Sequence, residues 1–285
     1  MSNLAALDTY PPDSQTGGAR AARFAVGRIP GFLAATWGFF LFLYAPILLL
    51  VVFSFNGSTS ATIWSHFSLE WYAKVAANAD IQRATLNSLI VAGVASVLAT
   101  ALATLAALAM VRGGPFRGAQ VALGTLLLPL IVPEIVIAIA MLIFFTAIGL
   151  NLGLGNLIIA HTVFCIPFAY LPIRARLDGL SPVYEEAAQD LYADGWQTFR
   201  RVTLPLLAPG IVSGLMLAFI TSVDDFIISL MVGGAGTTTL PIYIYSLIRI
   251  GITPQINAIS TLVLVISFLF VSLSWLIARR SEAKP

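Results

Sequence analysis

Glu134, Asp224 and Asp225 are carboxylic acids set in otherwise apolar sequence, Glu134 between Pro133 and a run of Ile and Val, the two aspartates just ahead of Phe226, Ile227 and Ile228. A charge near the middle of a bilayer costs at least about 2.5 kcal/mol on insertion scales, so acids in such places mark ion or substrate paths, or else bond to neighbouring helices. An acidic cluster with no lysine or arginine expected at its depth draws in cations. Glu134, Asp224 and Asp225 are therefore candidates for a cation pathway, the alternative being hydrogen bonds between helices or to a partner subunit. Catalysis by the aspartates fits poorly, because an intramembrane aspartyl protease needs two aspartates facing each other from different helices, and neighbours on one helix point about 100° apart. The single cysteine, Cys165, makes no disulfide, zinc cluster or Cys-x-x-Cys pair and reads as a small apolar filler. His161 reads as a hydrogen-bonded packing residue, since the sequence identifies no partner for it.

Polar residues are concentrated again between Arg174 and Pro205. Ser181-Pro182 is a helix-opening signal, and Glu185 and Glu186 fall in the first turn, where the helix dipole favours anions. A short helix is expected from about 182 to 193. On it Tyr184, Ala187, Ala188 and Leu191 share a face, with two alanines that let another backbone come close. A helix resting on lipid carries Lys and Arg on its polar face, and the inner leaflet is anionic. This one carries Glu185, Glu186, Asp190 and Asp194, which favours docking to protein over docking to lipid.

The elements that must position these groups follow from composition. Of 285 residues, 59% are hydrophobic and 10% charged, and the mean hydropathy is +0.93. Globular chains are about one quarter charged, so the polar surface of a water-soluble body is missing. Soluble enzymes, nucleic-acid binders and secreted disulfide scaffolds are excluded, and a net charge of +2 argues for no anionic partner. Residues 1–30 lack apolar periodicity and read as a disordered tail. Apolar runs at roughly 32–55, 84–110, 121–148, 155–173, 208–232 and 257–278 each reach the ~20 residues that cross a ~30 Å hydrocarbon layer. The expectation is an all-α membrane protein of six transmembrane helices, the third bent or broken at Pro129 and Pro133. Outer-membrane barrels are excluded because their strands alternate over about ten residues. Placing the N-terminal segment inside puts twelve of the fifteen basic residues on the cytoplasmic side and leaves Lys74, Arg83 and Arg249 outside, so both termini are read as cytoplasmic. Counted along continuous helices at ~1.5 Å per residue, Asp225 lies ~24 Å and Glu134 ~20 Å from their cytoplasmic starts, in the outer half of the membrane.

The 174–205 loop also carries Glu186-Ala187-Ala188, three residues, Tyr192, nine residues, then Val202-Thr203-Leu204-Pro205. This resembles the signature of inner-membrane permease subunits of ATP-binding-cassette (ABC) importers, Glu-Ala-Ala, three residues, Gly, nine residues, Ile-x-Leu-Pro. Tyr192 replaces the glycine, a departure partly offset by Gly195. Tyr44-Ala45-Pro46-Ile47, Asn87-Ser88-Leu89, Pro133-Glu134-Ile135-Val136, His161 to Phe168, Asp224-Asp225 and Leu240-Pro241-Ile242-Tyr243 narrow the likeness to the second of the two permeases of spermidine/putrescine importers.

The resemblance implies a type I ABC importer permease (MetI-like) fold in residues 31–285, with a cytoplasmic coupling helix between helices 4 and 5. It implies ATPase coupling by Glu185, Glu186, Ala187, Ala188, Leu191, Tyr192, Gly195, Leu204 and Pro205. The implied partners are a second permease, two copies of a cytoplasmic ATPase and a periplasmic binding protein, in a bacterial inner membrane. With no Gly-x-x-x-x-Gly-Lys-Ser/Thr in the chain, ATP and Mg are assigned to the ATPase, and this subunit to transport without enzymatic activity of its own. Alternatives are a permease for an opine, another amine or an aminophosphonate, or an ion-coupled secondary transporter, which would leave the 174–205 loop unused and show inverted repeats that are absent here.

Overall fold

A computed structural model describes residues 31–60, 63–150, 153–251 and 253–282. The expected tail, 1–30, lies outside them. The described residues form helices and one isolated bridge, Asn56 to Phe67. The chain divides into two compact units after Leu49. The first contains most of α1 (Phe32–Phe53), and everything that follows belongs to the second.

α2 (Glu70–Ala77) leads directly into α3 (Ala79–Val111), which opens on an N-cap: the Asn78 carboxamide accepts from the Asp80 and Ile81 N–H groups at 2.9 and 3.1 Å. α4 (Ala119–Ile131), α5 (Glu134–Ala147) and α6 (Leu154–Asp178) follow. Next come two short helices, α7 (Val183–Asp190) and α8 (Gly195–Thr198), and a π-helical turn, Phe199–Thr203. The π turn runs into α9 (Leu204–Asp224) and has a local cause. Pro205 has no N–H to give the carbonyl of residue 201 and its ring pushes that carbonyl aside, so the preceding turn widens and Leu204 N–H reaches back to Phe199. α10 (Ile227–Val232), α11 (Leu240–Ile250) and α12 (Pro254–Glu282) complete the chain.

The core is the packing of α3, α6 and α9. In lipid there is no water to expel from between helices, so close approach of backbones has to supply the contact energy, and small residues permit it. α3 buries Ala92, Ala95, Ser96, Ala99, Ala103 and Ala107 at three- and four-residue spacing. α9 brings Gly210 and Gly214 against α6: a Cβ on Gly214 would lie 2.7 Å from the Ala169 carbonyl oxygen, and one on Gly210 2.7 Å from Cβ of Arg176. The large side chains that fill the remaining space, Tyr170, Ile173 and Leu177, come from α6, with Leu207 from α9. Arg176 Nε also donates to the Leu206 carbonyl at 3.0 Å, tying α6 to the start of α9.

Four described helices are individually long and apolar enough to cross a membrane, five if a bent pair is one span. That pair is α4 and α5, bent by 111° where Val132 is extended and Pro133 precedes Glu134. The prolines predict this break. The expected fifth span, 208–232, is also interrupted, since α9 ends at Asp224 and Asp225 is extended (φ −65°, ψ 126°) before α10 begins. The rise counted along a continuous helix therefore holds as far as Asp224 and its C-cap Asp225, and not for Glu134 beyond the α4–α5 break.

Candidate functional site

The two interruptions meet. α10 packs on α5 and α6, and the carboxyl of Glu134, first residue of α5, lies within hydrogen-bonding reach of the Asp225 carboxyl. Asp225 is only 6% exposed, and the free N–H groups at the start of α10 explain why it is held there. Its Oδ1 accepts from Ile228 N–H at 3.2 Å, and its Oδ2 from Ser229 N–H at 2.9 Å and Ser229 Oγ at 3.0 Å. His161, buried on α6, completes the cluster: Nε2 is 3.2 Å from Asp225 Oδ2 and 3.1 Å from Ser229 Oγ, and Nδ1 is 2.7 Å from Ser222 Oγ of α9. The sequence reading of His161 as hydrogen-bonded is met, with a partner the sequence did not disclose. Glu134 is half-buried at the edge of this cluster.

Asp224 has the opposite environment to its neighbour. It is exposed at the C-terminal end of α9, its carboxylate takes no hydrogen bond among the described residues, and it lines a cavity of about 340 Å³ with Phe226, Pro241, Ile244 and Tyr245. The Phe226 and Tyr245 rings are 4.8 Å apart. One basic group does approach, against the expectation of none: the Arg249 guanidinium stands over the Tyr245 ring at 5.7 Å. With Tyr245 already beneath Arg249, it is the exposed carboxylate beside the Phe226 ring that offers an organic ammonium group both charge and a negative ring face. Trp71 offers no such face, since Lys74 already covers it at 4.3 Å, and Tyr72 bonds to Ser54 at 2.6 Å to hold the first loop.

In the 174–205 loop the helix is shorter than expected, α7 being Val183–Asp190. Its Tyr184, Ala187, Leu191 and Glu186 are exposed, while Glu185 and Ala188 turn inward. Glu185 is bonded within the chain: Arg112 Nε, just past α3, donates to Oε2 at 2.9 Å, and Thr203 Oγ, ahead of α9, donates to Oε1 at 3.0 Å. Arg112 also donates to the Leu180 carbonyl at 2.8 Å. The loop thus clips the ends of α3 and α9 together. α7 closes with both bonds of a Schellman turn, Ala193 N–H to Ala188 and Tyr192 N–H to Gln189. The residue in the left-handed conformation there is Tyr192, at φ 62° and 98% exposed. Gly195 does not compensate for the missing glycine, because it starts α8 behind the Asp194 cap, which accepts from Gln197 N–H at 2.7 Å. Leu204 and Pro205 form the first turn of α9.

Arg112, Thr203, Ser222 and Ser229 are the residues of these clusters that the sequence reading leaves out. Arg112 ends an apolar run like any other basic flank, and hydroxyls in helices carry no signal of their own. Set against known proteins, residues 99–282 match the family described as binding-protein-dependent transport system inner membrane component. The chain is 38% identical over 243 residues to the spermidine/putrescine transport system permease protein PotC of Haemophilus influenzae, covering 85% of this chain and 94% of that one. It is 36% identical over 249 residues to the putrescine transport system permease protein PotI of Escherichia coli K12, covering 85% and 89%. Among solved structures, a bacterial ABC transporter that imports the polysaccharide alginate shares the fold at TM-score 0.68 and 19% identity, over 88% of this chain and 94% of that one. The methionine transporter MetNI does so at TM-score 0.60 and 21% identity, over 70% and 94%. The all-helical fold, the apolar helices and these matches lead to one conclusion: this chain belongs to the family of binding-protein-dependent transport inner-membrane components and is a membrane-embedded permease subunit of an ABC importer.

Proposed function

We propose that this permease carries polyamines, putrescine or spermidine, as half of a channel formed with a second, different permease. Its relatives are named for these substrates, and the observation that carries the reading is the exposed Asp224 carboxylate at an aromatic-lined cavity, with the Glu134–Asp225 carboxyl pair close behind it. Asp224 and Glu134 face the path, while Asp225 adds to the field from behind Glu134. Six spans cross a bacterial inner membrane with both termini and the 174–205 loop in the cytoplasm, residues 31–285 forming the transmembrane domain and 1–30 a tail. α7 is the coupling helix, seated by its exposed Tyr184, Glu186, Ala187 and Leu191 in one of two ATPase copies, which bind ATP and Mg. A periplasmic binding protein delivers the substrate. Closure of the ATPases moves α7, and the Glu185 clip passes that motion to α3 and α9.

The test is uptake of putrescine and spermidine by assembled importers carrying Asp224→Asn or Glu134→Gln, normalised to the amount of subunit in the membrane. Amides keep size and most hydrogen bonding, so charge is what is removed. Uptake should fall, and further for spermidine than for the diamine, because attraction scales with the product of charges. Wild-type uptake in both variants rejects the cation path.

A further inference from the structure

Three basic side chains lie over an aromatic ring one helical turn away: Lys74 over Trp71, Arg174 over Tyr170 and Arg249 over Tyr245. Two of them are paired with an acid where they lie, Lys74 with Glu70 at 2.8 Å and Arg174 with Asp178 at 3.4 Å. Arg249 is the exception. It is exposed and makes no ion pair or hydrogen bond among the described residues, and the positions three and four residues to either side of it are Ser246, Tyr245, Ile252 and Thr253. What holds it is the ring and the last turn of α11, where the free carbonyls favour a cation. Its positive charge is therefore left uncancelled by any carboxylate.

Two contacts fix where that charge falls. The guanidinium is 5.7 Å from the centre of the Tyr245 ring, and that ring is 4.8 Å from the ring of Phe226. Arg249 thus stands at most about one Debye length, ~10 Å, from the ring beside which Asp224 offers an ammonium site. Tyr245 lines the cavity and Arg249 does not, and Asp224 is the one charged residue in the lining. One ammonium group can sit against that carboxylate. Every further ammonium of the same substrate lies farther from it, and the guanidinium repels each of them. We propose that Arg249 is a specificity-determining residue: Asp224 alone would favour the most highly charged polyamine, and the fixed charge beside the cavity offsets that advantage, so that linear diamines compete with tri- and tetra-amines. The inference rests on the cation-path reading above.

The experiment is uptake into proteoliposomes holding the complete importer and its binding protein, with spermidine and putrescine supplied separately at saturating concentration. The readout is the ratio of spermidine to putrescine uptake, in which the amount of subunit and the activity of the ATPase cancel. Arg249→Gln should raise this ratio at least about twofold over wild type, because a unit charge ~10 Å away contributes a factor of about two for each substrate charge even at the dielectric constant of water. Arg249→Lys keeps the charge and gives up the planar stack on Tyr245, so it should hold the wild-type ratio. A packing role predicts otherwise: both variants would lose uptake of the two substrates alike. Arg249→Glu reverses the charge, should raise the ratio beyond Arg249→Gln, and decides the matter where the glutamine variant fails to assemble. An unchanged or lowered ratio in the glutamine or glutamate variant, or a change in Arg249→Lys as large as in Arg249→Gln, overturns the proposal. Wild-type uptake in Asp224→Asn rejects the cation path and this inference with it. Impaired Asp224→Asn alongside a wild-type ratio in Arg249→Gln rejects the role of the arginine alone.

Discussion

Tyr192 occupies a backbone conformation that costs a side-chain-bearing residue about 1–2 kcal/mol and glycine almost nothing. Tyr192→Gly should therefore raise the thermal midpoint of the detergent-purified subunit, while Tyr192→Ala, which keeps the strain, should not. If both substitutions also weaken recovery of the ATPase with the membrane, the exposed ring contributes to docking. The adjacent aspartates make a second contrast. Asp225→Asn leaves Ile228, Ser229 and His161 with a weaker acceptor, and hydrogen bonds to charged groups contribute about 1.5–3 kcal/mol, so less subunit should assemble in the membrane. Asp224→Asn should leave assembly unchanged and reduce uptake. Immunoblots of membranes beside uptake assays check both. Sequence alone marks these acids because charge is conspicuous in apolar runs. It does not separate them, since their difference arises from a chain break between them and from a histidine whose other partners lie 61 and 68 residues further along the chain.

Helices were legible to different degrees for identifiable reasons. Pro129 and Pro133 announce the α4–α5 break, whereas the end of α9 at Asp224 has no proline or glycine to announce it and lies in a run that stays apolar to Val232. What ends the helix there is a cap on the next one, the Asp225 carboxylate accepting from the first N–H groups of α10, reinforced by a tertiary contact with His161. The short α2 and α11 fall in connections, outside any run long enough to span. The contact of α6 with α9 depends on the two glycines, so Gly214→Val should force the helices apart and sharply lower the yield of folded subunit, with Gly93→Val, where a Cβ meets nothing within 4 Å, as the tolerated control. At the other clip, Arg112→Gln removes the ion pair with Glu185 and leaves α7 exposed as before. ATPase recovery should persist while uptake per ATP hydrolysed falls.

For the whole molecule, a six-span arrangement with the 174–205 loop inside makes a labelling pattern. In a Cys165→Ser background, an impermeant maleimide should reach Ser58→Cys from outside intact cells and Gln189→Cys only after permeabilisation; the reverse pattern overturns the orientation. α3 has a further consequence. Thirty-three residues make a rod of ~50 Å, well beyond the ~30 Å hydrocarbon layer. It is fastened near both ends, by Arg112 to Glu185 and, toward its start, by Asn87 donating to the Gly236 and Thr238 carbonyls and by Ser88 accepting from Leu240 N–H. Those fastenings are 25 residues apart, ~37 Å along the axis, so a pivot of about 5° at one carries the other through ~3 Å. An angle smaller than the scatter of ordinary helix crossings thus equals the width of a hydrogen bond, and the segment from Gly236 to Leu240, beside the cavity that Asp224 lines, is geared directly to whatever tilts α7.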